Sequence, residues 1–329
     1  MSRATRSPRG TTDGRPVRAA VRWLAGAALG GAAARAAYAS LTARPPGLGG
    51  VAGDELWGRT NHRGEPVTLL EGPAFVAGAA AGGLLAAGPG ARLRAATLLA
   101  GAVPGALGGY DDLFGSGTSR GFKGHLGALA RGEVTTGAVK ILGIGAAGLA
   151  AAAVAGSPAP TRAGRAVDTL LNGALIAGSA NLMNLFDLRP GRAIKVGLLT
   201  GVPLAATAGG AVTAAPLGAA AALLPADLAE RAMLGDTGAN ALGGLLGLAA
   251  TRLGRRSRLA VFAGVAGLNA ASEFVSFTKV IARTPVLHRL DMLGRRPPAP
   301  ASGTVPPPAD PGDGAGDGAP TEPAAGTAS

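Results

Sequence analysis

Long apolar runs recur through this chain, and charged residues collect in the gaps between them. The runs cover roughly 79–109, 138–157, 166–183, 193–225, 239–251 and 259–272, and an earlier one, from Trp23 to Leu41, is broken by Arg35. A helix that crosses a bilayer core needs about 17–25 largely apolar residues. Without water to satisfy the backbone, only helices and closed barrels span, and the alternating pattern of barrel strands is not seen in the sequence. The chain therefore reads as all-α: a polytopic integral membrane bundle of about nine helices, with eight to ten as the range. A soluble alanine-rich bundle is the competing architecture, since alanine is nearly neutral for insertion. It fits less well. Only 15% of residues are charged, against about 25% in soluble domains, and the charges do not stripe each helix.

Helices are expected at about 17–41, 72–89, 92–110, 133–155, 166–187, 193–209, 211–225, 237–252 and 258–281. A membrane domain then occupies 17–290. The arginine-rich start, 1–16, and the Pro/Gly/Ala-rich end, 297–329, which carries acids and no base, have the composition of disordered segments. Ala37-Tyr38-Ala39 is like a signal cleavage site, but Arg35 sits badly in the apolar part of a signal peptide, so the first run is read as a spanning helix. Helix parity puts 42–71, 111–132, 188–192, 226–236 and the region after 282 on one face. Lys and Arg divide almost evenly between the two faces, so the positive-inside rule is silent, and the arginines before Trp23 argue against a cytoplasmic motif face. The net charge of +12 is read as basic loops facing anionic lipid and phosphate. Nucleic acid is not expected, because no basic stripe with interleaved aromatics occurs. Without cysteine, disulfides and thiolate metal sites are excluded.

Three acidic stretches carry the chemistry. In "GGYDDLFG", Gly108 to Gly115, two adjacent carboxylates, Asp111 and Asp112, stand at the carboxyl end of the third expected helix. A helix carboxyl end is the negative pole of its dipole, so each acid there is disfavoured by about 0.3–1 kcal/mol. A bound cation turns that cost into attraction, and Mg²⁺ takes such oxygen ligands. In "NLMNLFDLRPGR", Asn181, Asn184 and Asp187 recur every three residues and form one polar stripe on a helix. Interhelical hydrogen bonding is the plain reading of the two amides, and Asp187 at a helix end tips the stripe toward a site. In "LGDTGANALGG", Asp236 begins a helix as an N-cap or as a metal ligand, and the glycines permit close approach of a phosphate. Basic residues surround these acids: Arg59, His62 and Arg63; Arg120, Lys123 and His125; Arg189, Arg192 and Lys195. Lys140 snorkels or faces a polar cleft. "GIGAAG" at 143–148 lacks the flanking strand of a dinucleotide fingerprint and is set aside.

Taken together, the three motifs resemble those of the polyprenyl-phosphate N-acetylhexosamine-1-phosphate transferases, a family that includes the phospho-N-acetylmuramoyl-pentapeptide transferase of peptidoglycan synthesis. The resemblance covers roughly 55–290. "GGYDDLFG" looks like the family's Asp-Asp motif, "NLMNLFDLRPG" like N-x-x-N-x-x-D-G-x-D-G, and "LGDTGANALGG" like G-D-x-G-[SA]-x-x-L-G. It implies a multi-pass protein of the bacterial plasma membrane with a cytoplasmic active face. The implied reaction transfers a sugar-1-phosphate from a UDP-sugar to polyprenyl phosphate and releases UMP, in cell-envelope glycan synthesis. Mg²⁺ is the implied cofactor, held by Asp236 and Asp112. Asp111, Asp112 and Asp187 are the implied catalytic residues. Asn181, Asn184, Arg63, Lys123, Lys140, Arg192 and His288 are assigned to substrates, and the assembly leaves room for a homodimer. The chain departs from the family pattern where Pro190 replaces the second acid of D-G-x-D-G, where His288 alone stands for a histidine cluster, and in the lysine expected after the Asp pair, for which Lys123 or Lys140 must substitute. Two alternatives follow from these departures and from the intramembrane Lys140: a non-catalytic relative that binds the lipid carrier or acts as a scaffold, and a small-solute transporter.

Overall fold

The computed structural model describes residues 15–61, 63–85, 90–115, 127 and 130–297. The expected disordered ends fall outside these, apart from residues 15, 16 and 297, as do His62, Arg120, Lys123 and His125. The described residues are mostly helical. The elements are α1 (Arg15–Ala43), α2 (Gly53–Trp57), β1 (Gly58–Thr60), β2 (Pro66–Thr68), α3 (Glu71–Leu85), α4 (Ala91–Phe114), α5 (Thr136–Ala155), α6 (Arg162–Phe186), α7 (Arg192–Ala205), α8 (Gly210–Leu228), α9 (Gly235–Ala250), α10 (Arg255–Ser272), α11 (Phe277–Arg283) and α12 (Pro285–Met292).

A helix lies in each of the first eight expected segments, with shifted ends, and the ninth is divided. Two, α5 and α8, are by themselves long and apolar enough to cross a membrane, and α10 with α11 is a third candidate, bent by 99° at the break between them. The expected continuous helix over 258–281 is thus broken. At ~1.5 Å per residue, the 14 residues of α7 reach only about 21 Å, short of the roughly 30 Å of a hydrocarbon core. Helix α4 runs through Asp111 and Asp112 to Phe114, so both acids stand in its last turn and not in a following loop. Helix α5 starts three residues later than expected, because Thr135 caps it by accepting the Ala138 N–H at 3.1 Å. Lys140 therefore lies in the second turn, near the helix mouth. The region read as a loop at 42–71 contains a hairpin pairing Gly58 with Thr68, Arg59 with Val67 and Thr60 with Pro66.

Helix α9 is the centre of the packing. Every residue in it except Asp236 is buried, and it touches α3, α4, α6, α7 and α8. Phe75, Leu217, Leu223 and Leu242 fill the space on one side of it, and Ile176 and Leu248 on the other. Small residues set the helix spacing, as expected for helices packing without a hydrophobic drive between them. A Cβ on Gly108 would strike the Asp236 carbonyl. That close approach brings the last turns of α4 onto the first turn of α9. Helix α1 runs beside α8, with Trp23 Nε1 donating to Thr213 Oγ1 at 3.1 Å and a Cβ on Gly30 colliding with Ala215 backbone.

Candidate active site

The last turn of α4, the first turn of α9 and the second turn of α5 meet at one end of the bundle. Gly235, at φ +61°, turns the chain sharply into α9, leaving the first amides of that helix without partners inside it. Asp112 supplies the cap from another helix. Its carboxylate accepts the Asp236 N–H at 3.0 Å, the Thr237 N–H at 2.9 Å and the Thr237 hydroxyl at 2.7 Å. The sequence reading offered Asp236 as the N-cap and Asp112 as a metal ligand. The structure gives the capping role to Asp112, and both of its oxygens are engaged. Asp236 is thereby free to point elsewhere, and its carboxylate meets Lys140. Lys140 Nζ donates to Asp111 Oδ2 at 2.7 Å and, by a very short contact, to Asp236 Oδ2. Arg59 on the hairpin closes the same end, donating from NH2 to the Asp112 carbonyl at 2.5 Å.

The arrangement bears directly on metal binding. Among the described residues, no three carboxylates or histidines surround a common point where an ion could be held. Asp111 and Asp236 nevertheless converge on one cation, the Lys140 ammonium. Mg²⁺ is usually held by one or two carboxylates, with phosphates and water completing its shell. Asp111 and Asp236 are two converging carboxylates, which meets that requirement in number.

A second acidic group lies beside the first. Asp187 follows α6 as the chain leaves helical geometry before Pro190, and its N–H donates to the Asn184 carbonyl at 3.1 Å. Its Oδ2 is closed to solvent and has no hydrogen-bond partner. Burial pushes the Asp187 carboxyl well above the usual carboxylate range. The negative charges of Asp227, Asp236 and Asp112 add to that shift, and a hydrogen bond from the Gly235 backbone opposes it. Asp227 fixes the turn after Pro190 by accepting the Gly191 N–H at 2.9 Å. Asp187, Asp227, Asn61 and Arg189 line a cavity of about 170 Å³. The sequence reading missed Asp227 and the fully buried Glu71, whose two oxygens have no partner. Each is a lone acid in the sequence, without the adjacent partner that drew attention to Asp111.

Other expected site residues have structural partners. Arg63 Nε bonds Glu230 at 2.9 Å. Arg192 pairs with Asp291 through two bonds of 2.7 and 3.0 Å and donates to Thr278 Oγ1. Lys195 donates to the carbonyls of Leu290, Asp291 and Leu293. Together these residues dock α12 on the bundle. Arg296 bonds Glu65 at 2.5 Å and holds its carboxyl down at about 2, so this tie stands at neutral pH and weakens only as acid approaches that value. Asn181 donates to Asn269 of α10 at 2.6 Å, the interhelical bond that the plain reading of the stripe foresaw. His288 is exposed on α12. Lys123 lies outside the described residues.

Arg192→Met is expected to loosen the chain after Ser276 while leaving the contact of Lys140 with Asp236 in place. Breaking a buried ion pair costs about 3–5 kcal/mol, and limited proteolysis should cut the variant between 273 and 296 well before the parent. Equal protection in both would show that the pair does not hold α12.

Neither a protein-family model nor a curated protein sequence matches the chain.

Proposed function

We propose that the chain is an integral membrane transferase that moves a sugar-1-phosphate from a UDP-sugar to polyprenyl phosphate and releases UMP. The observation that carries this reading is the meeting of Asp111, Lys140 and Asp236, distant in sequence, at one end of a largely apolar helical bundle. Phosphate transfer asks little covalent work of a protein and much positioning and charge neutralisation. Mg²⁺, held by Asp111 and Asp236, would supply neutralisation of the diphosphate. An oxygen of polyprenyl phosphate forms a bond to the sugar-bearing phosphorus while the bond from that phosphorus to the UMP oxygen breaks. Lys140 orients the two carboxylates and offers a positive charge to the incoming phosphate. Asp112 serves by holding the first turn of α9.

Two cavities suit the substrates. A groove of about 420 Å³ between α5, α6 and α10 has an apolar wall, with Lys140 and Asn181 among its few polar linings. A prenyl chain laid there would bring its phosphate to Lys140. The smaller cavity beside Asp187 and Asn61 is the place for the nucleotide. In this reading the helices lie in the plasma membrane of a bacterium, with α10 and α11 forming the bent last span. The site faces the cytoplasm, and the product enters cell-envelope glycan synthesis.

One arrangement favours the non-catalytic alternative: Lys140 already neutralises Asp111 and Asp236, as a carrier-binding scaffold without metal would require. The test is UMP release by the purified full chain from a set of UDP-sugars, with polyprenyl phosphate and Mg²⁺. Asp236→Asn should lower it by about a hundredfold or more, in the range seen when one charge-stabilising group is lost. Release unaffected by that change, or carrier binding without release from any UDP-sugar, refutes the transferase.

A further inference from the structure

We propose that the end of the bundle opposite Asp111 and Asp236 binds anionic phospholipid headgroups through the arginines that open α4, α6 and α10. The inference begins with where the charge is. At the Asp236 end, several bases are paired with acids: Lys140 with Asp111 and Asp236, Arg63 with Glu230, Arg192 and Arg295 with Asp291, and Arg296 with Glu65. The chain's net charge is +12, and at the opposite end arginines stand with few acids among them. The opposite end carries Arg92, Arg94, Arg162, Arg165, Arg255 and Arg256, and among the described residues there its one acid is Asp168. That acid is already engaged by Arg258 at 2.7 Å and by the Ser157 hydroxyl at 2.5 Å.

These arginines belong to one neighbourhood. Arg92 Nε donates to the Val154 carbonyl at 3.1 Å, which joins the start of α4 to the end of α5. Ser157 joins the end of α5 to Asp168 on α6, and Asp168 joins α6 to Arg258 on α10. Each of the three helices carries arginine in its first turn there and has no acid in that turn. A cation at a helix amino end opposes the dipole, at a cost of about 0.3–1 kcal/mol, and the like charges of neighbouring helices add repulsion. An anion reverses both effects, because it is attracted by the guanidinium groups and by the helix ends together.

The occupant follows from position. In a bundle of apolar helices, the helix ends lie at headgroup depth, where basic residues attract anionic lipids. A phosphodiester offers the oxygen acceptors that guanidinium groups bind in paired geometry. The inference does not depend on the transferase reading, since it uses none of its residues.

The test is native mass spectrometry of the detergent-purified full chain titrated with phosphatidylglycerol or phosphatidylcholine. The parent should retain phosphatidylglycerol about tenfold better or more, and that preference should fall at high salt. Combined Arg92→Gln, Arg165→Gln, Arg255→Gln and Arg256→Gln substitutions should remove the preference and leave phosphatidylcholine binding unchanged. No preference in the parent, a preference insensitive to salt, or a preference kept by the variant overturns the proposal. So does inorganic phosphate that displaces the lipid at equal concentration, which would assign the arginines to a free anion. The parent's salt dependence decides the matter even if the fourfold variant does not fold.

Discussion

Lys140→Met should abolish transfer and, in the absence of divalent cations, lower the unfolding midpoint of the purified chain by an amount that Mg²⁺ restores. Lys140 is 13% exposed at its side chain, and the carboxylates it joins are 20% and 26% exposed. Removing it leaves Asp111 and Asp236 facing each other with no positive charge between them. Breaking a buried pair costs about 3–5 kcal/mol, and this partly open site should fall near the lower figure. In the variant, Mg²⁺ alone must neutralise the two carboxylates that it shares with Lys140 in the parent, so the variant's midpoint should climb with Mg²⁺ more steeply than that of the parent. Thermal unfolding of both proteins with and without Mg²⁺ checks this. A variant that neither loses stability nor gains sensitivity to Mg²⁺ would show that the two carboxylates do not share a cation.

Asp112→Ala should damage the fold to a similar degree, and Mg²⁺ should not restore it. The carboxylate caps α9 from another helix and takes three hydrogen bonds, two of them from backbone amides. Hydrogen bonds to a charged group contribute about 1.5–3 kcal/mol, and a buried donor left unpaired costs a similar amount. An expected loss of about 3 kcal/mol falls on the helix that every neighbour packs against. Asp112→Asn keeps one acceptor oxygen of nearly the same shape and should recover a good part of that stability. The pair of variants separates two roles. If Asp112 is the cap, stability follows the acceptor, and the Asp112→Asn protein still responds to Mg²⁺. If it is instead a metal ligand, Asp112→Asn keeps its stability and loses the response to Mg²⁺.

The helical organisation was legible because apolar runs and the polar gaps between them act at short range. Helix starts were legible to within a few residues. Their true positions depend on caps such as Thr135, which a hydropathy pattern does not weigh. The meeting of three motifs was foreseen from helix parity, but the division of labour within it was not. Asp111 and Asp112 are adjacent in sequence and so point about 100° apart on a helix. One turns to the amides of α9 and the other to Lys140, and only the packing at Gly108 decides which. Arg192 shows the opposite difficulty. A basic residue near an acidic motif suggests a substrate ligand, yet its partner, Asp291, stands 99 residues away in a helix whose docking no local pattern reveals. The same reasoning explains why Glu71 and Asp227 were passed over. Each carries a single charge with no spacing to mark it, and only the fold sets them near Asp187.

The claim beneath all of this is that segments far apart in sequence meet at one membrane face. The chain has no cysteine, so single cysteines can be introduced at Glu133 and Arg231, on the Asp236 end, and at Arg165 and Arg255, on the other. A membrane-impermeant maleimide applied to cells should label 165 and 255 while the cells are intact, and 133 and 231 only after permeabilisation. Labelling of 133 and 231 from opposite faces would contradict the account.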